Sequence, residues 1–344
     1  MTWMLLLGCS IDADRFVAFQ VQDDGSYTVK PRPIDSLEDP LRMHGQLGDV
    51  RAGGVLALSL IDGGLEYRGG RGIEVLAVVD DGVAEPIDLD GLIMYSFYGH
   101  LQDTRDALLG VGVAVEPLFP VNMAVTPAIP DIGLALLPVE NAAYAPSANT
   151  FILLSDLSDK QVPLAANAGV VAHETGHGVF HLLTAGDPYA AKLFPPGHSG
   201  ADGVSSLDEG FADMLGGLVT GDPRFIMPSL NLLSRDLEST ITAESVSSRP
   251  ELEVESYDPY ALGSVFAATV WDIRLETGDV NETLLLVCDA LRAWALAEAD
   301  ADDAMVAYRY LDQLVALGDS QQQQAACLAV ENRFAGVHTV EACP

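Results

Sequence analysis

From Pro163 to about Leu183 the sequence is small and apolar, and at its centre stands His173-Glu174-Thr175-Gly176-His177. Pro163 is tolerated in a first helical turn, and the lead-in from Leu164 to Ala172 suits a helix buried beneath a cleft. Residues four apart on a helix lie one above the other, so His173 and His177 face the same way with Glu174 beside them. Two imidazoles set like this can share one metal ion. A zinc ion so held keeps a position open for water and lowers that water's pKa to about 7, leaving the Glu to take the proton. His is scarce, 7 in 344 residues, which makes the pattern an improbable accident. Gly176 and Gly178 each cost about 1 kcal/mol relative to Ala inside a helix. Their presence predicts that another backbone passes close by.

A third ligand is needed, and Asp208-Glu209-Gly210-Phe211-Ala212-Asp213 offers one. Glu209 and Asp213 are four apart on a predicted helix, so Glu209 can reach the metal while Asp213 accepts the second ring N–H of a ligating His. Alone this segment reads as an acidic helix face. Beside the His pair it reads as part of the same site. His181 falls one turn beyond His177, but three ligands in a row on a straight helix diverge from a single ion, so His181 reads as a structural or supporting residue.

On these residues the chain resembles the gluzincin metallopeptidases, which include thermolysin and the fungalysins. The family pattern, H-E-x-x-H on one helix and E-x-x-x-D on the next, matches His173, Glu174, His177, Glu209 and Asp213. The resemblance implies that His173, His177 and Glu209 bind zinc, that Glu174 is general base and then acid, and that Asp213 steadies His173. The interval from His177 to Glu209 is longer than in thermolysin and looks more like that of fungalysins. Asn141-Ala142-Ala143-Tyr144 is similar to the Asn-Ala-aromatic edge strand of these enzymes, which implies that Asn141 and Ala142 bind substrate through main-chain hydrogen bonds. Read by itself, the segment is a turn before a strand at Thr150 to Leu154. Tyr260-Ala261-Leu262-Gly263 looks like the start of the fungalysin helix that carries a catalytic His, with Tyr260 in that position. A phenol can still donate a hydrogen bond to an oxyanion, and the alternative is a packing residue at a helix start. His198, in the loop Pro195-Pro196-Gly197-His198-Ser199-Gly200, is the reserve candidate for that role. The likeness is specific from 141 to 216 and extends to about 274.

A chain of 344 residues suits two lobes around a cleft. The expected fold class is α+β, a two-lobed zincin: an N-terminal lobe over 15–185 with a sheet and the metal helix, and a mainly helical lobe over 186–344. Residues from about 15 to 90 read as short strands broken by Gly and Asp turns, among them Gly54 to Leu58 and Ile73 to Val79. Helices are predicted at Leu92 to Leu109, Asn281 to Ala299 and Ala304 to Leu317. The Gln321 to Gln324 run reads as a solvated helix or loop.

Fifty acidic against 17 basic residues give a formal charge of -33, which should repel nucleic acid and anionic membrane surfaces. The acidic surplus reads as a solvated surface suited to a salty or extracellular setting, with room for calcium sites. Leu5-Leu6-Leu7-Gly8-Cys9 resembles the lipobox of bacterial lipoproteins, which implies residues 1–14 as a signal and linker, a lipidated Cys9 and anchoring in the cell envelope. The segment lacks a basic n-region, and a buried N-terminal strand is the other reading. Cys327 and Cys343 flank a short segment and could pair in an oxidising compartment, leaving Cys288 as a buried thiol; other pairings stay open.

The expected activity is zinc-dependent hydrolysis of peptide or protein substrates, with Glu174 moving the proton. The rival expectations are a catalytically silent zincin-like lipoprotein that acts as a binding module, and a non-peptidase hydrolase.

Overall fold

In the computed structural model, residues 13–58, 65–127, 141–154, 162–186, 200–230, 232–247, 258–298, 301 and 303–343 are described, and sheets dominate their N-terminal half and helices their C-terminal half. The fold is α+β, as expected. A seven-stranded sheet runs Asn141–Ala145, Thr150–Leu154, Val121–Val125, Gly48–Ala52, His44–Gly45, Leu37–Asp39, with Arg71–Gly72 also pairing on Gly48–Ala52. Its middle is parallel, Val121–Val125 lying between Thr150–Leu154 and Gly48–Ala52. Parallel strands are covered on both faces, and Met123, Ala124 and Phe151 are accordingly buried. A four-stranded sheet orders Tyr27–Arg32, Arg15–Val21, Val83–Pro86 and Ala77–Asp80, and Val55–Leu58 pairs with Leu65–Arg68 in a two-stranded one.

The strand predicted over Ile73 to Val79 shrinks to Ala77–Asp80. Val75 is apolar because it is buried as irregular backbone, its N–H donating to the Leu41 carbonyl.

Eight helices complete the described residues. Helix α1, Leu89–Gly110, starts earlier than the periodicity predicts because Asp88 caps it, accepting from the Gly91 N–H. It buries Tyr95, Tyr98, Leu101 and Leu108 on the face that the sequence marks as apolar. Helix α2, Ala168–Ala185, holds the His pair. It begins five residues after Pro163, which instead leads into a 3-10 turn at Leu164–Ala166. Asn167 is the cap: its Oδ1 accepts from the Gly169 N–H at 2.9 Å and from the Tyr27 hydroxyl at 2.9 Å. Its amide donates to Ser229, whose hydroxyl donates to the Val162 carbonyl. The start of α2 is therefore tied to the four-stranded sheet, and Gly186, left-handed at φ 68°, ends it.

Helix α3, Ala201–Thr220, carries the second acidic motif, and α4 is the short Ala243–Ser247. Helix α5, Pro259–Thr277, is capped by Asp258, which accepts from the Tyr260 N–H. Helices α6, Val280–Ala297, α7, Arg309–Leu317, and α8, Ser320–Phe334, follow. The helix predicted from Ala304 begins only at Arg309, because the turn before it turns the Val306 carbonyl to Trp294 Nε1 at 2.7 Å. The glutamine run lies in the first turns of α8, behind an Asp319/Gln322 capping box.

Two close approaches set the helix layer. A Cβ on Gly176 would sit 2.7 Å from Ala212 Cα, so α2 and α3 meet backbone to backbone there. Gly210 of α3 faces the Gly263 carbonyl of α5 in the same way, at 2.7 Å. The expectation for Gly176 holds; Gly178 instead faces the side chains of Leu118 and Tyr144. Phe180 bridges α2 to α3 and α6 through Phe211 and Trp294. Cys327 and Cys343 are bonded, with Cα atoms 5.5 Å apart, and Cys288 is a buried thiol. No helix among the described residues is long and apolar enough to cross a membrane, and Cys9 lies outside the described residues.

Candidate metal centre

Because α2 and α3 touch at Gly176 and Ala212, the residues on either side of the contact face one another. His173 and His177 stand one turn apart with ring centroids 4.9 Å apart. Opposite them, Glu209 Oε2 lies 3.7 Å from His173 Nε2 and 3.9 Å from His177 Nε2. All three ligand atoms fall within 4.8 Å of one another. Donors about 2.0–2.2 Å from a shared tetrahedral ion lie roughly 3.3–3.6 Å apart, so the two edges from Glu209 are open by only a few tenths of an ångström. Glu209 Oε2 is buried and has no hydrogen-bond partner among the described residues. A buried carboxylate oxygen left this way is costly, and a cation between the three residues would remove the cost.

The far nitrogens of both imidazoles are occupied. His173 Nδ1 is 3.0 Å from Asp213 Oδ1, and His177 Nδ1 is 2.8 Å from Asp208 Oδ1. With a proton on Nδ1 donated to a carboxylate, each ring presents the lone pair of Nε2 to the shared space. Arg235, at the end of the 3-10 turn Leu233–Arg235, holds Asp213 with Nε at 3.1 Å and with Nη2. Nη2 also comes within 3.2 Å of His173 Nδ1. Two N–H groups cannot bond each other, so in the tautomer that frees Nε2 this is a contact, while Asp213 accepts from both.

Among the described residues, four carboxylates (Glu174, Asp208, Glu209 and Asp213) thus surround two imidazoles with a single guanidinium, that of Arg235, among them. Burial pushes the Glu174 and Glu209 carboxyls above the usual carboxylate range. Asp213 goes the other way: burial opposes it, but the charge of Arg235 and the bond to His173 hold its carboxyl down. Burial and then Arg235 lower His173. For His177 burial is outweighed by the charges of Asp208 and Glu209, which raise it to about 10. The negative surplus that draws a proton to His177 is the charge a divalent cation would neutralise. The donor set of two imidazoles and one carboxylate fits zinc.

Around this core the other sequence candidates fall as follows. Glu174 is buried, its Oε1 3.9 Å from His173 Nε2, and it takes a backbone hydrogen bond from Tyr144. That bond comes from the strand Asn141–Ala145, which is the outermost of its sheet among the described residues. Ala142 pairs with Leu153 in antiparallel register, so this segment is an edge strand and not a turn. Tyr260 stands in the first turn of α5, its half-exposed ring 4.9 Å from the Arg235 guanidinium. Partial burial, with the charge of Glu209, pushes its phenol up to about 12. Tyr260 thus stands at a helix start and packs against Arg235 without being a core residue. His181 is buried with Nε2 3.8 Å from Asp208 Oδ2 and is not one of the three converging ligands. His198 lies outside the described residues.

Two residues of the centre have no role in the sequence reading. Asp208 is adjacent to Glu209, and its spacing from His177 carries no periodic signal. Arg235 follows an apolar stretch, and only the fold brings it to Asp213.

No protein-family model matches the chain, and no curated protein matches it. Sixteen solved chains do match in structure. One is the precursor of protealysin, a metalloproteinase from Serratia proteamaculans, at 14% identity and a TM-score of 0.50, over 85% of this chain and 88% of that one. At that identity the likeness shows the fold, which is thermolysin-like.

Proposed function

We propose that the chain is a zinc-dependent peptidase. The observation that carries this reading is Glu209 Oε2, buried without a hydrogen-bond partner, 3.8 Å from Arg235 Nη2, and aimed between His173 Nε2 and His177 Nε2 beside Glu174. Zinc bound by His173, His177 and Glu209 would polarise a scissile carbonyl and lower the pKa of a water to about 7. Glu174, buried and with its affinity for protons raised, accepts the proton of the attacking water and returns it to the leaving amine. Asp213 and Asp208 hold the imidazoles. Asn141 and Ala142 on the edge strand pair with the substrate backbone, a mode in which main-chain hydrogen bonds supply affinity. The Tyr260 phenol, kept protonated by its raised pKa, donates a hydrogen bond to the oxyanion.

The division into lobes at 15–185 and 186–344 belongs to this proposal. So does a cell-envelope or extracellular setting, in keeping with the Cys327–Cys343 disulfide. The test is cleavage of an unstructured protein by zinc-loaded protein, lost in Glu174→Gln while zinc is retained.

A second reading, a silent zincin-like binding module, is favoured by one feature: Tyr260 stands where the fungalysin pattern has His. Zinc binding without cleavage of any amide or ester substrate would favour it.

A further inference from the structure

The two imidazoles of the centre are supported differently. Asp213, behind His173, is shared with Arg235, which approaches it through both Nε and Nη2. Asp208, behind His177, meets no guanidinium or ammonium among the described residues. Its Oδ1 lies 2.8 Å from His177 Nδ1, and its Oδ2 turns to His181 Nε2 at 3.8 Å.

This follows from helix geometry. Adjacent residues on a helix point about 100° apart. When Glu209 projects from α3 toward the shared space, Asp208 projects along α2, past the far side of His177 toward the next turn, where His181 stands. One carboxylate therefore spans two turns of the metal helix. A free imidazole flips between tautomers, and only the form with the proton on Nδ1 offers Nε2 to an ion beside Glu209. To take up an ion His177 must give up its Nε2 proton and keep the one on Nδ1.

We propose that Asp208 is a positioning residue that fixes His177 in the Nδ1–H tautomer and thereby sets the affinity of the centre for zinc. The inference rests on the zinc reading and adds to it a determinant outside the three ligands. Loss of such a partner costs 10- to 100-fold in metal affinity where it has been removed from other sites.

The experiment is a zinc titration of the full chain against a competing chelator, with wild type, Asp208→Ala and Asp208→Asn. Asp208→Ala is expected to bind zinc about 10- to 100-fold more weakly. Asp208→Asn keeps an oxygen that accepts from Nδ1–H, so it should recover most of that loss. A general structural role would not separate the two variants. Wild-type affinity in folded Asp208→Ala would overturn the proposal, and so would equal losses in both variants, which would assign the effect to charge alone. Should Asp208→Ala fail to fold, the His177 Nδ1–H resonance of zinc-loaded wild type decides the matter: a strong downfield shift with slow exchange, as for a hydrogen bond to a carboxylate, supports the proposal, and an Nδ1–H that exchanges freely with water overturns it. A wild-type protein that folds and takes up no zinc would instead sink the underlying reading, so the two failures are distinct.

Discussion

Glu209 turns a buried carboxylate oxygen that accepts no hydrogen bond toward His173 Nε2, 3.7 Å away, although the two residues come from different helices. Nothing in either helix alone would leave a carboxylate in that state. Glu209→Ala should abolish tight zinc binding and leave the fold intact, because it deletes a ligand together with a desolvated oxygen. Elemental analysis paired with circular dichroism checks both halves.

The contact that makes this possible is the one between Gly176 and Ala212. Gly176→Ala would gain about 1 kcal/mol of helix propensity, yet its Cβ would fall 2.7 Å from a backbone atom of α3. Overpacking of this kind costs about 1–3 kcal/mol, so a net loss of stability is expected, with weaker zinc binding as α3 is pushed away. Urea unfolding and a zinc titration of the variant read the two effects.

Asn167 fixes where α2 begins. Asn167→Ala removes the cap, leaves the Tyr27 hydroxyl without its acceptor and takes a donor from Ser229, whose hydroxyl still donates to Val162. Loss of a cap costs about 0.5–2 kcal/mol. The expected unfolding free energy is lower by at least that much, with Asn167→Asp retaining part of it.

Tyr260→Phe keeps the ring over Arg235 and deletes the hydroxyl. If the phenol serves the oxyanion, kcat falls by about 100- to 1000-fold with little change in KM, as for the loss of one such donor. An unchanged kcat would assign the ring to packing against Arg235 alone.

Outside the centre, Arg32 makes paired hydrogen bonds to Asp103. Burial pushes the Asp103 carboxyl up, but His100, with Nδ1 3.8 Å away, and the bonds and charge of Arg32 prevail and hold it at about 2, below the ordinary 3.8. A depressed carboxylate pKa stabilises the fold above the unfolded-state value, and the gain is lost as pH falls through the folded value. The stability difference between wild type and Asp103→Asn should therefore be constant from pH 7 to about 5 and shrink between about 4 and 2. Urea unfolding across that range tests it, and a difference that grows with acid would contradict it.

Much of the centre was legible in the sequence because it is written in helical spacing. His173 and His177, and Glu209 and Asp213, each sit four apart, and both pairs lie on helices as expected. Gly176 announced a close approach for the same reason. What spacing does not encode was not legible. Asp208 reaches His177 across 31 residues and Arg235 reaches His173 across 62, through contacts that exist only once α2 and α3 cross. Pro163 suggested a helix start, but a proline serves equally in a turn before the cap, and Asn167 took that position. Ile73 and Val75 looked like strand because buried irregular backbone carries the same apolar residues as a buried strand.

The most direct test of the central claim is the zinc content of the purified chain after dialysis against zinc and then buffer. One zinc per chain in wild type and in Glu174→Gln, with none in His177→Ala, and cleavage of an unstructured protein by the wild type alone, is the result expected. A folded wild type that retains no zinc, or a Glu174→Gln variant that cleaves as fast as wild type, would contradict it.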